Sequence, residues 1–131
     1  MNIDKSVLDE LTAKAKASER LRMNLDMRTS SEDTSQRMLN AVEPGTVVPI
    51  HRHCASAETV VIVRGKVKEI FYDDNGSVTS EVVLETGGEC PMVQIPAGQW
   101  HTIEVLESGS VIFEAKDGAF APLGEEDIMK R

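Results

Sequence analysis

The chain predicts an all-β protein with one helix at its N-terminus, and three observations lead there. About eight or nine short segments of strand character follow one another in fewer than about a hundred residues. Turn signals built from Gly, Asn, Asp and Pro separate them every eight to twelve residues or so, the spacing of an antiparallel sandwich or barrel. Aromatics are scarce, with three Phe, one Tyr and one Trp, so Val, Ile and Leu must fill the core.

The elements follow in order. Ser6 to about Arg22 has helical periodicity, with Ser6 as cap, Asp9 in the first turn and a thin stripe of Val7, Leu8, Leu11 and Ala15. So thin a stripe suits a helix that packs on a larger body. "MNLDM" from Met23 to Met27 alternates like a short strand, and "RTSSEDTSQ" reads as a polar loop. "RMLNAV" ends at "EPG" and is followed by "TVVPIHRH" as a further strand. "ETVVIVR" and "KVKEIFY" flank Gly65, which suggests a hairpin, and "DDNG" at Asp73 to Gly76 marks a turn. "SVTSEVVL", "MVQI", "WHTIEVL" and "VIFEAK" complete the strands before an irregular acidic tail from Gly118 that ends in Lys130-Arg131.

With 131 residues the chain suits a single domain: helix and arm over 1–25, the β-body over 26–118 and a tail over 119–131. A net charge of −8 and the lack of any basic cluster argue against nucleic-acid or anionic-membrane partners. The N-terminus lacks a signal-like apolar core, and the run from Val60 to Val63 is too short to span a bilayer. The expectation is a cytoplasmic protein whose Cys54 and Cys90 are free thiols, Cys54 being a small buried one.

All three histidines fall in one pattern. His51 and His53 are two apart, so on a strand they share a face. Glu58 shares a face with Val60 and Ile62, at the end of an apolar row where a lone carboxylate is costly unless paired or metal-bound. His101 aligns with Ile103 and Val105. Three imidazoles and a carboxylate then converge from neighbouring strands, a donor set suited to iron, manganese, nickel, zinc or copper. Against this stands ordinary core or edge placement of each residue alone. No histidine lies outside the constellation, and that favours the metal.

Gly45, His51, His53, Glu58 and Gly65 occupy every specified position of the first cupin motif, G-x5-H-x-H-x4-E-x6-G. The second motif is met by Pro96, Gly98 and His101, with Cys90 in place of its leading Gly and Val105 in place of its closing Asn. More narrowly, "RMLNAVEPGTVVPIHRH", "RGKVKEIFYDDNGSVT" and "IPAGQWHTI" resemble the WbuC family of cupin-fold metalloproteins, over roughly Gln36 to Gly118. The resemblance implies a conical jelly-roll β-barrel with an additional N-terminal α-helix. It implies one divalent transition metal ion per chain, zinc, iron, manganese or nickel, held by His51, His53, Glu58 and His101. It also implies a setting in surface-polysaccharide gene clusters, but it supplies no reaction and no catalytic residue.

Arg37, Asn40 and Gln94 are polar residues within strand-like segments and are candidates for binding substrate at the barrel mouth. Trp100 should face away from His101 as packing or an interface anchor, and Met23, Met27, Met38 and Met92 suit core filling. Three functions compete. The leading one is a metal-dependent enzyme acting on a small molecule, a sugar or sugar nucleotide. The second is a non-catalytic binding or sensing module with a bound metal. The third is a metal-free epimerase-like cupin with His as base and Tyr72 as acid. A closed barrel and a spare helix are compatible with a homodimer.

Overall fold

The computed structural model describes residues 1–130; Arg131 lies outside the described residues. One helix, α1 (Lys5–Ala17), precedes eight strands: β1 (Arg22–Asp26), β2 (Ser35–Val42), β3 (Glu58–Arg64), β4 (Lys66–Tyr72), β5 (Val78–Glu85), β6 (Met92–Ile95), β7 (Trp100–Val105) and β8 (Ser110–Asp117). They form two antiparallel sheets, one ordered β1-β2-β8-β3-β6 and the other β5-β4-β7. Period-two alternation explains the layers. Val60 and Ile62 of β3, Ile112 of β8 and Val42 of β2 meet Val67, Leu84 and Val105 of the smaller sheet in an aliphatic core.

The opposite faces are covered as well. Leu11 and Ala15 of α1 pack on Leu39, Ala41 and Val111 behind the larger sheet. Arg64 ties the helix down, donating to Asp9 Oδ1 (2.6 Å) and Thr12 Oγ1 (2.9 Å). Behind the smaller sheet, Ile70, Tyr72 and Trp100 cluster with Ile50 and Met129.

Three local expectations change. The helix is capped by Asp4, whose carboxylate accepts from Val7 N–H and also from the Ser6 hydroxyl, and it ends at Ala17. Its expected last turn is used otherwise: Leu21 takes φ 57° and Arg22 starts β1, paired with Val42. Gly65 is not a hairpin turn. β3 pairs with β6 and β8, while β4 pairs with β5 and β7, so the chain passes between sheets at this residue. Finally, "TVVPIHRH" forms no ladder strand. Pro49 lacks a donor, and pairing reduces to bridges from His51 to His101 and Ile128.

The corner at Gly65 is sterically exacting. Its φ is +87°, and an added Cβ would lie 2.7 Å from Ser110 Cα and closer still to the Ser110 hydroxyl. Gly65→Ala should destabilise the protein by about 3 kcal/mol, combining left-handed strain with overpacking. Gly98 has φ +82° but open space around it, so Gly98→Ala should cost roughly 1 kcal/mol. Urea denaturation of both variants checks the contrast; equal losses would show that the Ser110 contact relaxes freely.

Candidate metal centre

The extended segment before β3 reaches the site through a reciprocal backbone pair. His51 N–H donates to His101 O (3.0 Å) and His101 N–H to His51 O (2.9 Å). Met129 N–H donating to Ile50 O and Arg52 N–H donating to Asp127 O hold the segment from its other side. His53 follows on the same segment, Glu58 opens β3, and His101 lies second in β7. The imidazole centroids of His51 and His101 are 4.3 Å apart, those of His51 and His53 5.0 Å, and those of His53 and His101 5.7 Å. One nitrogen from each ring falls within a 4.8 Å cluster. Glu58 lies beside them, with Oε1 3.5 Å from His101 Nε2 and Oε2 3.7 Å from His53 Nε2.

The backbone orients two of these rings. Pro49 O lies 2.8 Å from His51 Nδ1, and Gln99 O lies 2.9 Å from His101 Nδ1. A carbonyl only accepts, so each Nδ1 carries the hydrogen and each Nε2 keeps a free lone pair, the arrangement of a metal-ligating histidine. His53 Nε2 and His101 Nε2 are buried with no hydrogen-bond partner. Orphaned imidazole nitrogens that face a carboxylate fit a divalent cation, which would satisfy all of them at once.

Burial, aided by the charge repulsion of His101, pushes the His51 pKa down to about 4. Burial and the Lys116 cation lower that of His53. Both rings are therefore neutral near pH 7, as ligation requires. Glu58 is only 3% exposed. Burial opposes its ionisation, but the close approach of His101 and the Lys116 charge outweigh it and hold the carboxyl below its usual range. Lys116 stands opposite Glu58 in the β3–β8 register, its Nζ 3.2 Å from Oε2.

Three ionisable residues that the motif reading passed over share this space. They are Lys116, Glu114 and Glu69, and strand parity carries the signal for each. Ser110, Ile112, Glu114 and Lys116 alternate onto one face of β8, as do Val67, Glu69 and Phe71 on β4. Burial and the Glu58 charge push the Glu114 carboxyl up, while Asn40 Nδ2 donates to it. Glu69, 1% exposed, is raised well above the ordinary value by burial and by the charges of Glu58 and Glu114.

A cavity of ≈ 790 Å³ opens beside His51, His53 and Glu58, lined by apolar Val42, Ile103 and Ile112 and by polar Asn40, Glu69 and Glu114. The tail after β8 roofs it with Phe120 and Leu123. Asp127 pins that tail, accepting from Arg52 Nε (3.1 Å) and Cys54 Sγ (3.3 Å). A second groove of ≈ 490 Å³ by Asp74 and Trp100 lies away from the histidines.

Of the other sequence candidates, Asn40 lines the cavity. Arg37, one residue off in parity, instead donates to Met27 O and Ser35 O and pairs with Asp33. Gln94 accepts from the Thr59 hydroxyl at 2.5 Å on the strand face away from Ile95 and the core. Cys54 is exposed, not buried, because its segment is not a ladder strand; Cys90 packs against the core, and both are free thiols. Trp100 and Tyr72 sit behind the smaller sheet as packing, where Arg52 lies 4.4 Å over the indole. Met23 and Met27 pack under α1, Met38 faces the cavity, and Met92 is half exposed.

The Glu69 environment predicts a pH signature. A carboxyl whose folded pKa is raised contributes stability fully below its ordinary value of 4.5 and loses it as pH rises. The groups that bear on it are Glu58 and Glu114. In metal-free protein the Tm of Glu69→Gln should exceed that of the parent by a margin that widens from pH 5 to pH 8, reaching several degrees. Parallel Tm curves would mean that Glu69 ionises in the fold without penalty.

A family model described as "Domain of unknown function (DUF6016)" matches residues 3–84, a span that holds His51, His53 and Glu58 but not His101. No curated protein matches. Among solved structures, the capsular polysaccharide assembling protein CapF from Staphylococcus aureus is 26% identical with a TM-score of 0.66, over 80% of this chain and 30% of CapF. Bacillus subtilis oxalate decarboxylase is 20% identical with a TM-score of 0.59, over 76% of this chain and 26% of that one. KdgF from Halomonas sp. is 12% identical with a TM-score of 0.59, over 74% of this chain and 80% of KdgF. The chain thus spans under a third of CapF and of the decarboxylase. No helix among the described residues is long and apolar enough to cross a membrane. The family match over more than half of the chain, with the likeness of its two-sheet structure to these neighbours, makes the protein a member of the DUF6016 family built on the cupin fold.

Proposed function

We propose that this protein is a metal-binding cupin enzyme that acts on a small molecule held in the ≈ 790 Å³ cavity. The observation that carries the reading is the pair of buried, unpartnered Nε2 atoms on His53 and His101 facing Glu58. His51, His53, Glu58 and His101 would hold one divalent ion, zinc, iron, manganese or nickel, within a jelly-roll barrel. Such an ion supplies Lewis acidity toward a carbonyl or hydroxyl oxygen, or activates water or dioxygen.

The chain's own groups do the rest. Pro49 O and Gln99 O keep the His51 and His101 rings in one tautomer. Lys116 balances the Glu58 charge at the cavity wall. Glu114, joined to Asn40, places a proton-bearing carboxyl beside the ligands, and this acid favours an enzyme over a passive binding module. The tail pinned by Arg52 and Asp127 shields the cavity from bulk water. A sugar or sugar nucleotide is the proposed substrate class. It is supported by the resemblance to WbuC proteins and by the likeness to a capsular polysaccharide assembling protein.

Metal titration by calorimetry and elemental analysis test the centre. The parent should bind one ion per chain, and Glu58→Ala and His101→Ala should each lose at least about 100-fold in affinity. Full metal content in both variants would place the ion elsewhere. Turnover of nucleotide sugars by the loaded parent, set against tight binding without product, separates enzyme from module.

A further inference from the structure

We propose that Glu69 is the point at which the cavity recognises a hydroxyl group of its small-molecule ligand. This rests on the cavity being a small-molecule site, and it adds to the metal centre a recognition residue on the opposite sheet.

Glu69 occupies the middle of β4, where alternation turns it inward between Val67 and Phe71. Its cross-strand neighbours are Val82 on β5 and Ile103 on β7. All four belong to or pack on the aliphatic core, and none has a side-chain polar atom. The carboxyl is 1% exposed, its Oε2 has no hydrogen-bond partner, and it lines the cavity. A buried carboxyl kept for structure would be paired, as Glu43 is by Ser108 Oγ and Gly109 N–H. Glu69 is left open toward the cavity instead.

Register sets the size of the ligand. Ile103 lies opposite Glu69, and His101 is two residues earlier on the same face of β7. A diagonal step of this kind spans roughly 7–8 Å. A chain of about four to six heavy atoms would bridge from the imidazoles to Glu69 at that distance.

The local charge sets the chemistry. Burial and the nearby Glu58 and Glu114 push the Glu69 carboxyl well above its ordinary range, and a protonated carboxyl offers one donor and one acceptor. A hydroxyl is the complement of both. A ligand carboxylate would place a second anion near ionised Glu58 and would meet no cation on the strands beside Glu69. A ligand ammonium would have to ionise Glu69 and lose its own hydration.

Three probes built on one four-carbon chain test this: meso-erythritol, succinate and 1,4-diaminobutane. Each is titrated by NMR into the parent, Glu69→Gln and Glu69→Leu, with and without zinc, and zinc affinity is measured alongside. Erythritol should bind the parent best of the three. Its affinity should fall about threefold in Glu69→Gln and at least about tenfold in Glu69→Leu, with zinc affinity unchanged within about twofold. If Glu69→Leu does not fold, the Glu69→Gln ratio decides. The proposal is overturned by unchanged erythritol affinity in the folded variants, by tighter parent binding of succinate or the diamine, or by no erythritol binding at all. A parent that binds no zinc defeats the metal reading and leaves the Glu69 result, read from the metal-free titrations, intact.

Discussion

The site depends on one reciprocal pair of backbone hydrogen bonds, between His51 and His101 at 3.0 and 2.9 Å. Between the end of β2 and the start of β3 the chain has no ladder of its own, and Pro49 denies it one. Without that pair the segment carrying His51 and His53 would lose its backbone tie to the strand of His101. With it, two imidazoles are fixed against the strand that carries the third. Thr102, next to His101, extends the docking by donating its hydroxyl to Val48 O at 2.6 Å.

Docking this segment puts charge where the fold would otherwise put hydrocarbon. Glu58, Glu69, Glu114 and Lys116 face the same interior as Val60, Ile62 and Ile112. Such groups persist in a low-dielectric interior only when paired, protonated or bound to a cation. The molecule uses the first two visibly. Lys116 pairs with Glu58, and burial pushes the Glu69 and Glu114 carboxyls up, toward their neutral forms. The unpartnered imidazole nitrogens are what remains for the third. A core this polar weakens the fold, and the aliphatic layer toward Leu84 and Val105, with α1 behind the larger sheet, offsets it.

Much of this was legible in the sequence, for a physical reason. Alternation has a fixed period, so the position of Glu58 in register with Val60 and Ile62 declares its inward face from the sequence alone. The turn at "DDNG" was readable because Asn and Gly chemistry is local. Gly65 was misread because a hairpin and a sheet-to-sheet corner ask the same of one residue, a positive φ. What separates them is the distant Ser110 backbone. The same limit explains "TVVPIHRH", whose partners are His101 and the tail near Ile128. Glu69 and Glu114 followed the parity rule as clearly as Glu58 did, but no motif pointed at them. Arg37 and Asn40, three apart, could not both have faced one cavity, and parity alone separates them.

The central claim is that three imidazoles and one carboxylate form a metal centre. X-ray absorption on gently purified protein tests it most directly. The account predicts a divalent transition metal whose first shell holds nitrogen and oxygen at about 2.0–2.2 Å, with outer-shell scattering from three imidazole rings. A sulfur shell near about 2.3 Å, or oxygen ligands without imidazole scattering, would contradict it.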